Sequence, residues 1–175
     1  MNFKQLIAKY TTGNISTDQI PQLGIAALLE GLDTPSICIL AGLDKNENSF
    51  VKEHYLKLAL NELNIGMPNK RQAALEYACA IADEIISGEK ELIAGVSEIK
   101  NKAIDSYDFW SENQKYVYDS IGFEIVYGLY DEYDDLQNDL MQISRDKSRE
   151  ELIIEVKTQL LDELTKWKEK IQSIL

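Results

Sequence analysis

The segment 148–175 constrains the fold more than any other part of the chain. Ser148 and Glu151 have the spacing of a capping box, in which each side chain bonds the other residue's backbone N–H. The period that follows is that of an α-helix, and about 26 residues at 1.5 Å each predict a helix about 39 Å long. Its apolar positions are Ile153, Val156, Leu160, Leu164, Trp167, Ile171 and Ile174.

The rest of the chain repeats this pattern in shorter segments, because apolar residues recur at helical spacing between turn and capping signals. No segment has a convincing strand pattern, since the β-branched run 36–40 is too short to found a sheet. We therefore predict an all-α fold: a single compact domain over residues 1–175, with seven to eight helices in antiparallel hairpins and a long C-terminal helix. The shorter helices are expected at about 3–10, 16–31, 34–41, 49–63, 70–87, 90–105 and 112–131.

The net charge of −12 limits the classes of partner. Nucleic acid and anionic membranes are disfavoured because their phosphates repel a negative surface. A cationic protein partner is favoured, since opposite charge accelerates encounter. Cys38 and Cys79 lie in apolar helical patterns, which predicts two buried, reduced thiols. With no leader pattern and no apolar run near the about 20 residues that span a bilayer, we expect a cytoplasmic protein.

Catalytic patterns are weak throughout the sequence. The single histidine, His54, has no second histidine or cysteine near it, so the common zinc sites are disfavoured, and we expect a partly buried helix residue. The Glu-x-x-His pattern of di-iron helices fails because Val51 occupies the glutamate position. No nucleophile-elbow motif is present. We predict that the protein is not an enzyme and has no catalytic residue, no cofactor and no bound metal.

The acidic stretch 127–140 is the exception that needs separate tests. An EF-hand beginning at Asp131 fails, because its glycine and glutamate positions are Leu136 and Gln142. The segments 134–139 and 138–146 superficially resemble aspartate-rich magnesium–diphosphate motifs, but they overlap in sequence, whereas that family places its two motifs on separate helices. The alternative to a binding protein remains a metal-dependent helical phosphohydrolase or diphosphate-binding enzyme. Such an enzyme would use the 131–139 carboxylates.

The same stretch suits a protein–protein contact better. No base lies between Lys115 and Arg145, and neighbouring acids on a helix repel one another by a few tenths of a kcal/mol per pair. Six of the nine tyrosines lie between residues 107 and 133, and tyrosine is enriched in interfaces. We expect Tyr116 and Phe123 to point inward, and Tyr130 and Tyr133 to point outward as aromatic anchors for the partner. The predicted partner-binding residues are Asp119, Glu124, Tyr130, Asp131, Glu132, Tyr133, Asp134, Asp135 and Asp139.

Such a surface predicts a partner with a strongly basic face, which is typical of proteins that handle nucleic acid. Carboxylates placed where phosphates would lie can bind that face tightly and block it. A helical scaffold that dimerises through the C-terminal helix is a further hypothesis, because its apolar repeat could form a coiled-coil seam.

The segment 26–44, "AALLEGLDTPSICILAGLD", resembles a pattern of small bacterial helical proteins in toxin–immunity loci. In this pattern a helix ends in glycine (Gly31), Asp-x-Pro-Ser follows (Pro35), and an apolar Leu-Ala-Gly comes next (Gly42). Size and acidity are similar to those of immunity proteins of contact-dependent growth inhibition systems. The resemblance implies a cytoplasmic inhibitor that binds its cognate basic nuclease toxin, expected to be a ribonuclease, one-to-one at or near the active site.

Overall fold

The computed structural model describes residues 1–112, 115–140 and 147–175, and within these ranges the chain is all-α with no strand. This confirms the predicted fold class and the long C-terminal helix. None of these helices is long and apolar enough to cross a membrane. The helices are α1 (Phe3–Thr11), α2 (Ile20–Leu29), α3 (Pro35–Gly42), α4 (Ser49–Glu62), α5 (Lys70–Ile86), α6 (Leu92–Glu98), α7 (Glu124–Gln137) and α8 (Arg149–Gln172).

The chain divides into two compact units, which comprise Met1–Tyr77 and Ala78–Leu175. The boundary falls inside α5, a helix whose residues 73–75 and 77–82 are all buried. A helix that is apolar on every side is typical of a protein interior. The prediction of a single helical domain over residues 1–175 stays a prediction.

In the first unit, α3 packs against both α2 and α4. Leu23, Ile37, Leu40 and Leu56 are almost completely buried there. The α2–α3 contact is close because Gly24 has no side chain: a Cβ at this position would lie 2.6 Å from the backbone nitrogen of Ala41. The fold of this unit therefore depends on a glycine inside a helix.

Carboxylates from neighbouring helices cap two helix N-termini in this unit. Glu62, at the end of α4, accepts hydrogen bonds from the Ser36 backbone N–H (3.0 Å) and hydroxyl (2.6 Å). These hydrogen bonds, that of the hydroxyl foremost, hold the pKa of Glu62 below its usual range. Glu30 accepts a hydrogen bond from the backbone N–H of Phe3 at the start of α1. Such capping satisfies backbone donors that a helix leaves free.

Asn48 caps α4, because its side chain accepts a 2.9 Å hydrogen bond from the Phe50 N–H. Two expectations for single residues are corrected. Cys38 is exposed, because α3 directs its neighbour Ile37 into the core and successive helical residues point about 100° apart. Cys79 is buried as expected. His54 is exposed rather than partly buried.

In the second unit, α7 packs along α8. The capping box of Ser148 and Glu151 is present and α8 contains 24 residues, so the helix is about 36 Å long. Five of the seven residues of the apolar repeat are buried within this chain, whereas Ile153 is half-buried and Ile174 is 65% exposed. The buried members are Val156, Leu160, Leu164, Trp167 and Ile171.

The helices predicted at 90–105 and 112–131 are wrong in extent. The first ends as an α-helix at Glu98 and continues as a π-helical turn and a 3₁₀ turn to Ser106. The second begins only at Glu124 and runs on to Gln137. Tyr118 and Gly122 adopt left-handed conformations, with φ of 63° and 70°, and such residues cannot continue a right-handed helix.

Candidate partner-binding surface

Helix α7 presents most of the predicted binding residues. Val126 and Leu136 are buried on its inner side, whereas Asp131 and Asp134 are exposed. Glu132 and Asp135 are half-buried. Because residues three or four apart share a helix face, Asp131 lies beside both Asp134 and Asp135. We call the residues Asp131, Glu132, Asp134 and Asp135 the acidic face.

The acidic face has no counter-charge within the described part of the chain. No lysine or arginine of residues 1–112, 115–140 or 147–175 forms an ion pair with any of its four carboxylates. The charges therefore repel one another across i,i+3 and i,i+4 spacings. A cation from outside the chain would relieve this repulsion.

Asp139 differs from the acidic face because the chain supplies its counter-ion. It lies in the turn after α7 in a left-handed conformation, with φ of 60°. Its carboxylate pairs with the guanidinium of Arg149, the first residue of α8. Of the nine predicted binding residues, Asp139 is thus already neutralised by the protein itself.

Asp119 and Glu124 have roles within the turn before α7. The Asp119 carboxylate accepts hydrogen bonds from the backbone N–H groups of Lys115 (2.6 Å) and Tyr116 (3.1 Å). Glu124 occupies the first turn of α7, where a negative charge is favourable because of the helix dipole. One carboxylate oxygen of each residue is buried and has no hydrogen-bond partner among the described residues. Asp119 is therefore held by hydrogen bonds within its own turn rather than displayed with the acidic face.

The aromatic residues are arranged differently from the expectation. Phe123 is fully buried, which confirms its inward placement, but Tyr116 is 69% exposed. Tyr130 and Tyr133 are half-buried on α7. The ammonium of Lys157 lies 5.7 Å from the centre of the Tyr133 ring and 3.6 Å from the Glu91 carboxylate. A lysine of the chain thus partly covers one of the two predicted aromatic anchors.

A hydrogen-bonded cluster beside these residues was missed by sequence reasoning. The Tyr118 hydroxyl donates to Asp105 across 2.7 Å, and the Lys100 ammonium lies 3.4 Å from the same carboxylate. Burial, together with the Asp105 carboxylate, raises the pKa of the Tyr118 phenol. Tyr118 also stands edge-to-face with Tyr127 at 5.4 Å. The only sequence signal was the density of tyrosines, because the contact joins residues 13 positions apart.

The carboxylates do not converge on a cation site in the described residues. No group of three or more histidine, cysteine, aspartate or glutamate side chains there is placed to hold a metal ion. The 138–146 motif lies partly outside the described residues.

Comparisons with known proteins give no relative for this chain: no family model, no curated protein and no solved structure matches it.

Proposed function

We propose that the protein is an immunity protein that binds and neutralises a basic nuclease toxin, expected to be a ribonuclease, in a one-to-one complex. The observation that carries this proposal is the acidic face. Four carboxylates on one helix, with no base of the described chain to balance them, reduce the stability of the free protein. A positively charged partner would reverse that effect on binding.

Packing on the inner side of α7 fixes the helix that carries the acidic face. Val126 and Leu136 are buried, and α7 packs along α8. The carboxylates are therefore attached to a preorganised backbone, and little conformational entropy is lost when they bind. A nuclease must present lysine and arginine to the phosphates of its substrate, so its active-site face is a suitable counterpart.

The charge also predicts the kinetics of binding. With a net charge of −12, association with a basic toxin is steered by long-range attraction, and its rate constant falls as salt is raised. This behaviour distinguishes electrostatic docking from a purely apolar contact, whose association rate changes little with ionic strength.

The test is co-expression with the nuclease domain expected at the C-terminus of a large secreted protein encoded immediately upstream. We expect the wild type to protect cells. The double variant Asp134→Lys/Asp135→Lys is expected to lose protection and to bind at least tenfold more slowly by surface plasmon resonance.

The matched control is Glu89→Lys/Glu169→Lys, which changes the net charge equally at two exposed positions outside α7. It should keep most of the association rate. Equal rates for the wild type and the α7 variant, with the fold intact by circular dichroism, would refute the acidic face as the contact. Specific, stoichiometric Mg²⁺ binding in calorimetry would instead favour the enzyme alternative.

A further inference from the structure

The second unit contains an open cavity of about 390 Å³ that is separate from the acidic face. Ligand sites usually have volumes of about 300–1,000 Å³, so this volume is small and suits one or two long side chains. We call it the aromatic pocket. Its walls are Asp105, Ser106, Tyr107, Asp108, Phe109, Trp110, Val117 and Tyr118.

The inner wall of the aromatic pocket is fixed by packing and hydrogen bonds. Phe109 is buried and stands edge-to-face with Tyr107, with 4.8 Å between the ring centres. The 2.7 Å bond from the Tyr118 hydroxyl to Asp105 joins the two segments that form the pocket. A preformed wall of this kind favours binding because it need not be ordered by the ligand.

The outer rim of the aromatic pocket is apolar and exposed to solvent. Trp110 is 62% exposed, and Val117 beside it in the pocket is 39% exposed. Tryptophan is the residue type most enriched among those that dominate binding energy at interfaces. The other tryptophan, Trp167, is buried and donates its indole N–H to the Ile121 carbonyl at 3.0 Å, so it serves the core.

The charge around the aromatic pocket selects a cation. Asp108 is exposed, and its carboxylate accepts a 3.3 Å hydrogen bond from the Ser111 backbone N–H within its own turn. Asp105 already interacts with Lys100 at 3.4 Å. Residues 105–119 contain a single base, Lys115, against four acids. The acids are Asp105, Asp108, Glu112 and Asp119.

We propose that the aromatic pocket binds an arginine side chain of the toxin, with the guanidinium stacked on the Trp110 indole and bonded to the Asp108 carboxylate. This inference rests on the proposed function and adds a second contact to the acidic face. Arginine is favoured over lysine because its planar group stacks on an aromatic ring and bonds a carboxylate through two N–H groups at once.

The experiment titrates the protein with a hexa-arginine peptide in 150 mM salt and follows the two indole N–H resonances by NMR. We expect the Trp110 resonance to shift and the Trp167 resonance to stay in place, because Trp167 is buried. Hexacitrulline, which has the same shape without the charge, should shift neither resonance. Hexalysine should bind about tenfold more weakly at this site.

Two variants test the site directly. Trp110→Ala and Asp108→Asn are each expected to weaken hexa-arginine binding about tenfold, measured by calorimetry, while the Trp167 resonance reports an intact fold. Phe50→Ala is the matched control, since Phe50 is an aromatic residue of the first unit that is 80% exposed. Unchanged affinity in Trp110→Ala, or shifts confined to α7 amides, would overturn the inference.

The toxin assay separates this inference from the proposed function. If the wild type protects cells and Trp110→Ala protects equally well with an unchanged dissociation rate, the arginine pocket is wrong and the immunity function stands. If the wild type itself gives no protection, the proposed function fails, whereas hexa-arginine binding at Trp110 would still establish the pocket as a cation site.

Discussion

Replacing Gly24 by alanine tests the close contact between α2 and α3. The added Cβ would lie 2.6 Å from the backbone nitrogen of Ala41, 3.0 Å from its Cα and 3.1 Å from the carbonyl carbon of Leu40. All three atoms belong to the backbone of α3, so no change of side-chain rotamer relieves the overlap. The two helices must therefore move apart.

The size of the effect follows from two opposing contributions. Alanine stabilises a helix interior by about 1 kcal/mol relative to glycine. Restoring an ordinary contact distance of 3.4 Å requires a separation of about 0.8 Å, which loosens Leu23 and Ile37, both fully buried. Overpacking of a core typically costs about 1–3 kcal/mol, and backbone overlap belongs at the upper end. We expect Gly24→Ala to lower the free energy of unfolding by about 2 kcal/mol.

Urea denaturation followed by circular dichroism measures this difference. Gly128→Ala is the matched control, because Gly128 lies inside α7 and a Cβ there would have no neighbour within 4 Å. It should raise the free energy of unfolding by up to about 1 kcal/mol. If Gly24→Ala proved as stable as the wild type while Gly128→Ala behaved as expected, the close helix contact would be refuted.

Three further substitutions have defined outcomes. Hydrogen bonds lower the pKa of Glu62 in the folded state, so its ionised form stabilises the fold above the unfolded pKa of 4.5. This contribution is lost as the pH falls through the folded pKa. Glu62→Gln should therefore make the free energy of unfolding fall less steeply as the pH is lowered into the acid range. Trp167→Phe removes the buried indole donor that bonds the Ile121 carbonyl and should cost about 1–3 kcal/mol in urea denaturation. Asp139→Asn keeps a residue that tolerates positive φ and breaks an exposed pair with Arg149, so the unfolding free energy should change by less than about 1 kcal/mol.

Local sequence patterns predicted most of the helices. The capping box at Ser148 and Glu151 and the apolar repeat after it gave the start and the inner face of α8. The predicted helix at 112–131 was wrong because Tyr118 takes a left-handed conformation that its residue type does not signal. Gly122, a residue type that adopts positive φ readily, was the sequence signal for a break in this helix.

The candidate site was predicted in part. The acids of α7 could be identified from the sequence, but Asp139 was predicted with them although Arg149 neutralises its carboxylate. Tyr116 was expected inside, whereas it is exposed. The aromatic pocket was not predicted at all, because it forms only where the turn around Asp108 meets Val117 and Tyr118.

The helical class, the acidity and the position of the carboxylate-rich segment could be predicted without coordinates, because periodicity, capping and charge are properties of neighbouring residues. Only packing shows which of those carboxylates have no ion pair among the described residues, and that an exposed Trp110 lies beside Asp108 in a separate cavity. Ion pairs and pockets join side chains from separate segments, and these come within reach of one another only when helices pack, as α7 does on α8.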